Sequence, residues 1–169
     1  MPVPRDLPFR PCVGVMLLNA AGNVWLGHRF DEPEGNDEGR GTWWQMPQGG
    51  IDTGEDPRQA AKRELFEETS IRSAEIIAES NGWYSYDLPP QLIGKSWGGR
   101  YRGQTQRWFA MRFTGPDSEI DIHDPGPGHK PEFDAWRWEK IERLVELIIP
   151  FKRDVYEKVV ADFAPLIGK

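Results

Sequence analysis

Three glutamates, Glu64, Glu67 and Glu68, lie close together in a stretch whose pattern predicts a helix. At about 100° per residue they fall within an arc of about 100° and within two turns, so they share one face of that helix. Like charges at this spacing destabilise an isolated helix, and the cost grows as water is excluded. Carboxylate oxygens are the ligands that hard divalent cations prefer, so this face is a candidate metal site beside a polyphosphate.

The chemistry expected of such a site is hydrolysis of a phosphate anhydride. Divalent cations neutralise phosphate charge, lower the pKa of a bound water and hold the attacking and leaving oxygens in line. One glutamate then accepts the proton of the water, and the sequence leaves open which one does so. The alternative interpretation is a solvated acidic helix in which Lys62 and Arg63 are ordinary ion-pair partners.

The residues around the glutamates predict where the helix begins and which side packs. Asp56 followed by Pro57 is a helix start, because the carboxylate can accept from free backbone N–H groups and proline is tolerated at the first position. Gln59 could complete a capping box. Leu65 and Thr69 lie beside the acidic arc and are expected to pack on a sheet, which leaves the acids on an open edge.

Strands and further helices must position this helix. The patterns predict strands over 12–19, 24–30, 74–80, 83–88, 105–115 and 132–138, and helices over 140–148 and 151–166. Strands precede and follow one central helix, so the class is α/β or α+β, with a mixed sheet and helices on both sides. A chain of 169 residues fits one domain, residues 1–169.

The charge balance and the single cysteine exclude several function classes. The net charge of −6 argues against a nucleic-acid coat protein or a DNA-binding protein, although residues 94–107 hold four bases and no acid. Cys12 alone cannot form an internal disulfide or a thiolate cluster. With no apolar run of about 20 residues and no apolar secretory segment in residues 1–11, the expected location is the cytoplasm and no membrane partner is expected.

Residues 49–71 resemble the signature of the Nudix hydrolases, G-x5-E-x7-R-E-U-x-E-E-x-G-U with U aliphatic. The matching positions are Gly49, Glu55, Arg63, Glu64, Leu65, Glu67, Glu68 and Ile71. The one departure is Ser70, where the family has a glycine that ends the helix in a left-handed conformation. Serine in that conformation is expected to cost about 1 kcal/mol.

The resemblance implies a fold and a ligand set. The fold is the Nudix fold, an α/β/α sandwich around a central mixed sheet. The implied metal ligands are Glu64, Glu67, Glu68, the carbonyl of Gly49 and, from "PEF", Glu132. Arg63 would orient the carboxylates. The implied cofactor is Mg²⁺, with Mn²⁺ or another divalent cation as alternatives.

Stretches outside this box, among them "FRPCVGVMLLN", "WQMPQGGID" and "PFKRDVYEKVV", look like the bacterial RNA pyrophosphohydrolase and dinucleoside polyphosphate hydrolase branch of the family. The branch implies phosphate contacts at Arg10 and Arg29, and a base stacked between Tyr86 and Phe151. Gln104, Lys152 and the bases from Lys95 to Arg107 would line the polyphosphate. The alternatives are surface arginines, a solvated basic face and a core role for Phe151.

Three functions remain open at this stage. The first is removal of pyrophosphate from the 5′-triphosphate end of RNA, and the second is cleavage of dinucleoside polyphosphates such as diadenosine tetraphosphate. The third is a nucleotide-binding module without catalysis, which has no need to keep the whole carboxylate set. The loop from Asp31 to Thr42 is longer and more acidic than in compact members of the branch, and an acidic lid would disfavour a long polyanion.

Overall fold

A computed structural model of the protein describes residues 6–29, 43–90, 93, 96–123 and 131–167. The strands of this part of the chain are β1 (Phe9–Leu18), β2 (Val24–Arg29), β3 (Trp44–Gln45), β4 (Gln48–Gly50), β5 (Ala74–Asp87), β6 (Gly103–Phe113) and β7 (Phe133–Glu139). The α-helices are α1 (Pro57–Thr69), α2 (Leu144–Leu147) and α3 (Arg153–Phe163). No helix among these residues is long and apolar enough to cross a membrane.

The strands form one mixed sheet, as the sequence predicted. The order along the sheet is β3-β2-β1-β6-β5, with β4 paired to β1 and β7 paired to β2. β1 and β6 are parallel, and the other pairs are antiparallel. β1 lies at the centre and is buried on both faces, which explains its almost continuous apolar sequence.

Alternate residues of β1 supply the two halves of the core. Val15 and Leu17 pack with Leu65 in the cluster that includes α1. Met16 packs with Val159 in the cluster that includes α3. Because successive side chains of a strand point to opposite faces, the two helices lie on opposite sides of the sheet. The result is the expected α/β/α sandwich.

Two predicted strands, 74–80 and 83–88, are one strand in the structure. β5 runs through both, and its pairing with β6 shifts register between Glu79 and Trp83. At this irregularity the backbone N–H and the side-chain amide of Asn81 both donate to the carboxylate of Asp162 on α3, at 3.0 and 2.8 Å. A partner from a distant helix therefore satisfies the polar groups that the bulge removes from the ladder.

The helix predicted over 140–148 is much shorter in the structure. Residues Ile141–Arg143 form a 3-10 turn, and only Leu144–Leu147 are α-helical. Ile148 is already extended. Pro150 accounts for part of this difference, because the residue before a proline is disfavoured in the helical region.

Candidate active site

The helix that carries the glutamates begins where the sequence predicted, but it is not capped as predicted. Asp56 is the N-cap residue and Pro57 occupies the first turn, yet the Asp56 side chain makes no capping hydrogen bond. The capping expectation for the Asp56 carboxylate is therefore wrong. The fixed φ of Pro57 and its missing N–H still favour a helix start at this point.

At its other end, α1 finishes in the left-handed conformation expected at Ser70. Its φ is 66°, and it is the only non-glycine residue with positive φ in the described part of the chain. Its backbone N–H donates to Phe66 O at 2.7 Å, and its hydroxyl donates to Asp121 O at 2.9 Å. The hydroxyl contact offsets part of the strain that serine has in this conformation.

Arg63 organises the acidic face of α1. Its guanidinium donates twice to Glu55, both at 2.8 Å, and once to the carbonyl of Gly50 at 2.9 Å. The Nη1 group donates to Glu64 at 2.8 Å and to Glu67 at 3.1 Å. The hydrogen bonds from Arg63 to Glu55 lower the pKa of Glu55 to about 2. One guanidinium thus fixes three carboxylates, which agrees with the orienting role expected of Arg63.

Glu64 lies against the backbone of Gly49. A Cβ at Gly49 would be 2.1 Å from the Glu64 carboxylate, so only glycine allows this approach. Burial raises the pKa of Glu64 to about 7, and Arg63 opposes that rise while Glu67 and Glu132 add to it. The surroundings therefore disfavour the charged form of Glu64, although Arg63 contacts its carboxylate.

Glu68 is buried, which corrects the expectation that all three acids stand on an open edge. Its side chain points back towards β4, where one carboxylate oxygen accepts from the backbone N–H of Gln48 at 3.2 Å. Within the described residues the other oxygen, Oε1, is buried and has no hydrogen-bond partner. Burial first, and then the charges of Glu132 and Glu64, raise the pKa of Glu68 well above its ordinary value, against an opposing effect of Arg29.

These groups surround a cavity of about 530 Å³. Its lining brings together Arg10, Gln48, Gly49, Gly50, Asp52, Arg63, Glu64, Glu67, Glu68 and Glu132. Among the described residues, no three acidic, histidine or cysteine side chains already converge as a metal cluster. The set nevertheless fits a divalent cation, because its donors are hard oxygens and a buried carboxylate oxygen lacks a partner.

The two arginines predicted to contact phosphate lie at different depths. Arg10 lines the cavity, and a Cβ at Gly50 would be 2.4 Å from its Nη2 atom. Arg29 is buried at the end of β2, beside a register shift, and its charge acts on Glu68. Both arginines are thus close to the carboxylates, and their contact with phosphate stays a prediction.

The predicted base-stacking residues form one group near the end of β5. The rings of Tyr86 and Phe151 are 5.6 Å apart and tilted by 49°. The ammonium of Lys152 lies 5.6 Å from the first ring and 5.7 Å from the second. Because the rings contact each other, a base could enter between them only if they separate, so the proposed stacking stays a prediction.

Two bases of the predicted basic stretch are paired with acids. Arg102 donates to Asp87 at 2.5 Å, and Arg107 donates to Glu79 at 2.9 Å. A local positive surface is therefore weaker than the sequence suggested. Lys95 and the acidic segment 31–42 lie outside the described residues.

Several residues of the site were not identified from the sequence. Gln104 was identified, but Gln106 and Gln48 were not. Gln106 donates to Gln104 at 2.7 Å and also contacts Gln48 and Trp108. The hydroxyl oxygen of Tyr156, on α3, accepts from the backbone N–H of Met46 at 2.9 Å. The one available signal was the spacing of the two glutamines, because residues two apart on a strand point to the same face.

Comparison with known proteins agrees with this geometry. The model of the NUDIX domain family matches residues 8–162. An RNA pyrophosphohydrolase of Agrobacterium fabrum is 58% identical over 165 residues, which is 98% of this chain and 97% of the relative. An RNA pyrophosphohydrolase of Rhodopseudomonas palustris is 60% identical over 161 residues, 95% of this chain and 91% of the relative.

Solved structures share the fold at much lower identity. The binary complex of a C. elegans Ap4A hydrolase superposes with a TM-score of 0.58 at 18% identity, covering 91% of this chain and 98% of that one. The E. coli dihydroneopterin triphosphate pyrophosphohydrolase superposes with a TM-score of 0.62, also at 18% identity, with coverage of 91% and 98%. At this identity the likeness concerns the fold alone.

Proposed function

The chain belongs to the NUDIX domain family, and from that premise we propose that it removes pyrophosphate from the 5′-triphosphate end of RNA and leaves a 5′-monophosphate. The relatives that are 58% and 60% identical over nearly its whole length are RNA pyrophosphohydrolases, which supports this substrate. RNA as a substrate implies that the activity operates in the cytoplasm.

The observation that carries the proposal is the set of carboxylates around the cavity, of which Glu68 is buried and Glu64 and Glu67 are half-buried. Glu64 and Glu68 both have raised pKa values because burial and neighbouring acids act on them together. One guanidinium faces several carboxylates here, an excess of acidic groups that a bound cation would compensate. Such a set is suited to a cation-assisted reaction on a polyanion, and it argues against a binding module without catalysis.

The proposed ligands of the cation are Glu64, Glu67, Glu68, Glu132 and the carbonyl of Gly49. A bound Mg²⁺ or similar ion supplies neutralisation of the phosphate charge and acidifies the attacking water. Arg63 orients three of the surrounding carboxylates through the hydrogen bonds described above. One glutamate of the set accepts the proton of the water.

Residues in and beside the cavity would hold the substrate. Arg10 and Arg29 are suited to phosphate oxygens, since a guanidinium offers several donors in a fixed plane. Tyr86, Phe151 and Lys152 lie together near the end of β5 and would contact the first base and its phosphates. Gln104 adds a polar contact on the neighbouring strand, where it pairs with Tyr86.

The experiment that tests the proposal compares two substrates. Purified protein is incubated with a 5′-triphosphorylated RNA and, separately, with diadenosine tetraphosphate, each with Mg²⁺ and each with EDTA. We expect pyrophosphate release and 5′-monophosphorylated RNA with Mg²⁺ only. Faster turnover of the dinucleotide would assign the protein to dinucleoside polyphosphate hydrolysis, and turnover of neither substrate would leave a binding module.

A further inference from the structure

A chain of buried hydrogen bonds runs from β6 towards the cavity. The indole N–H of Trp108 donates to Gln106 Oε1 at 3.0 Å. Gln106 Nε2 donates to Gln104 Oε1 and to Gln48 Oε1, both at 2.7 Å. Trp108 and Gln106 are 0% and 1% exposed, so solvent does not compete for these contacts.

The direction of every hydrogen bond in this chain is fixed by Trp108. An indole N–H can only donate, so Gln106 must present its carbonyl oxygen to Trp108 and its NH₂ group to the other two glutamines. Gln104 and Gln48 must then accept through their carbonyl oxygens. An amide has nearly the same shape in its two orientations, so its partners decide which one it adopts. In both Gln48 and Gln104, the NH₂ group is therefore the end of the amide that points away from Gln106.

The two NH₂ groups lie at different depths. Gln48 lines the cavity, and its backbone N–H donates to Glu68. Gln104 is 3% exposed and lies between Arg10 of β1 and Tyr86 of β5 in the sheet register. An amide NH₂ group attracts the oxygens of a polyphosphate, whereas an amide carbonyl oxygen repels them.

We propose that Gln106, which itself lies behind the site, is a positioning residue that sets the side-chain amide of Gln48 as a hydrogen-bond donor to the substrate. This inference rests on the proposed function for its substrate, an RNA 5′-triphosphate. Gln106 fixes the amide of the buried Gln104 in the same orientation.

Two variants of Gln106 separate this role from simple packing. In Gln106→Glu the carboxylate still accepts from Trp108 but has no N–H, so Gln48 and Gln104 must turn their NH₂ groups towards it, and Gln48 then presents its carbonyl oxygen to the substrate. We expect KM for triphosphorylated RNA to rise about tenfold with kcat within about twofold of wild type. Gln106→Met only releases the two amides, and KM should rise about threefold.

The matched control is Thr105→Val, one residue away on β6 and on the opposite face. It breaks a hydrogen bond between Ser85 and Thr105 that is exposed. KM should not change in this variant. Loss of folded protein would lower kcat and leave KM unchanged, so a fall in kcat alone in the Gln106 variants would overturn the proposal. So would a KM within about twofold of wild type in Gln106→Glu.

A readout without substrate keeps the inference separable from the proposed function. Hydrogen exchange of the Trp108 indole N–H, followed by NMR on ¹⁵N-labelled protein, should be slow in wild type and in Gln106→Glu and faster in Gln106→Met. Equal exchange rates in all three proteins would overturn the proposed role of Gln106, whatever the enzyme hydrolyses. If wild type releases no pyrophosphate, the proposed function fails. The exchange pattern, together with the affinity for Mg²⁺ and inorganic triphosphate, then still tests the role of Gln106. Should Gln106→Glu not fold, Gln106→Met tests this role by the same two measurements.

Discussion

Two clusters of arginine and glutamate in this protein are built in opposite proportions. At the candidate site one guanidinium contacts four carboxylates, and on β5 one carboxylate contacts two guanidiniums. Arg63 hydrogen-bonds to Glu55, Glu64 and Glu67 and lies 3.7 Å from Asp52, and the partners of Glu79 are Arg58 and Arg107.

Glu64 of the Arg63 cluster and Glu79 of the β5 cluster have pKa values shifted in opposite directions, whereas the pKa of Glu55, which Arg63 also contacts, is lowered to about 2. The pKa of Glu79 is lowered, because hydrogen bonds from Arg58 and Arg107 favour its charged form. The pKa of Glu64 is raised to about 7 although Arg63 contacts it, because burial outweighs the arginine. An ion pair therefore does not by itself distinguish a structural network from a functional site; burial and an excess of one charge do.

Replacing Glu68 by Gln is the strongest test of this comparison. We expect kcat on triphosphorylated RNA to fall about 10³-fold, because a buried carboxylate needed for the cation or the proton is lost. The melting temperature in EDTA should rise, since a neutral amide is not repelled by the charges of Glu132 and Glu64 as the Glu68 carboxylate is. Steady-state kinetics and thermal unfolding measure both. Full retention of the rate would mean that the site is misplaced.

Replacing Arg63 by Lys tests the organising role of the guanidinium. An ammonium cannot reproduce the paired hydrogen bonds to Glu55 together with those to Glu64 and Gly50. We expect kcat/KM to fall about 10- to 100-fold and the affinity for Mg²⁺ to fall with it. Arg58→Lys is the control, because Arg58 is exposed and belongs to the other cluster. Equal losses in the two variants would erase the distinction between the clusters.

The raised pKa of Glu64 predicts how stability depends on pH without a divalent cation. The folded state holds this proton more tightly than the unfolded state does, so the contribution to the free energy of unfolding is complete below about pH 4.5 and is lost as the pH rises through about 7. In EDTA, the melting temperature of wild type should fall between pH 5 and 8 relative to that of Glu64→Gln. Mg²⁺ should remove this decline. Parallel curves for the two proteins would contradict the raised pKa.

The sequence predicted the acidic face of α1 well because that face depends on local geometry. A fixed rotation per residue places Glu64, Glu67 and Glu68 together whatever surrounds the helix. The left-handed conformation of Ser70 followed from the resemblance, because the family has a glycine that ends the helix at this position. The mixed sheet and the two helix layers followed from the order of the predicted strands around one central helix.

Features that depend on distant partners could not be predicted in this way. The burial of Glu68 depends on where β4 lies, and the bulge of β5 depends on Asp162 of α3. The orientation of Gln106 requires Trp108 beside it in the fold. Spacing gives the face on which a residue lies, but not the tertiary neighbours that decide its burial or its hydrogen bonds.

Replacing Ser70 by Gly should have a smaller effect, on stability alone. Glycine adopts positive φ without the steric cost of a side chain, so we expect the free energy of unfolding to rise by about 1 kcal/mol, less the contribution of the lost hydroxyl contact to Asp121. Differential scanning calorimetry should show a melting temperature higher by about 2 °C. The rate should be unchanged, and a changed kcat would mean that the end of α1 also controls the carboxylates.

The smallest effect is expected for Glu79→Gln, which removes the centre of the β5 cluster. Glu79 and its two arginines are partly exposed, and ion pairs in such surroundings contribute little because water and salt screen them. The melting temperature should change less than in Ser70→Gly, and kcat and KM for triphosphorylated RNA should equal those of wild type. Release of Arg58 and Arg107 from Glu79 would make both arginines available to RNA phosphates. A lower KM in this variant would therefore show that the β5 cluster takes part in substrate binding. The contrast with the Arg63 cluster would then be incomplete.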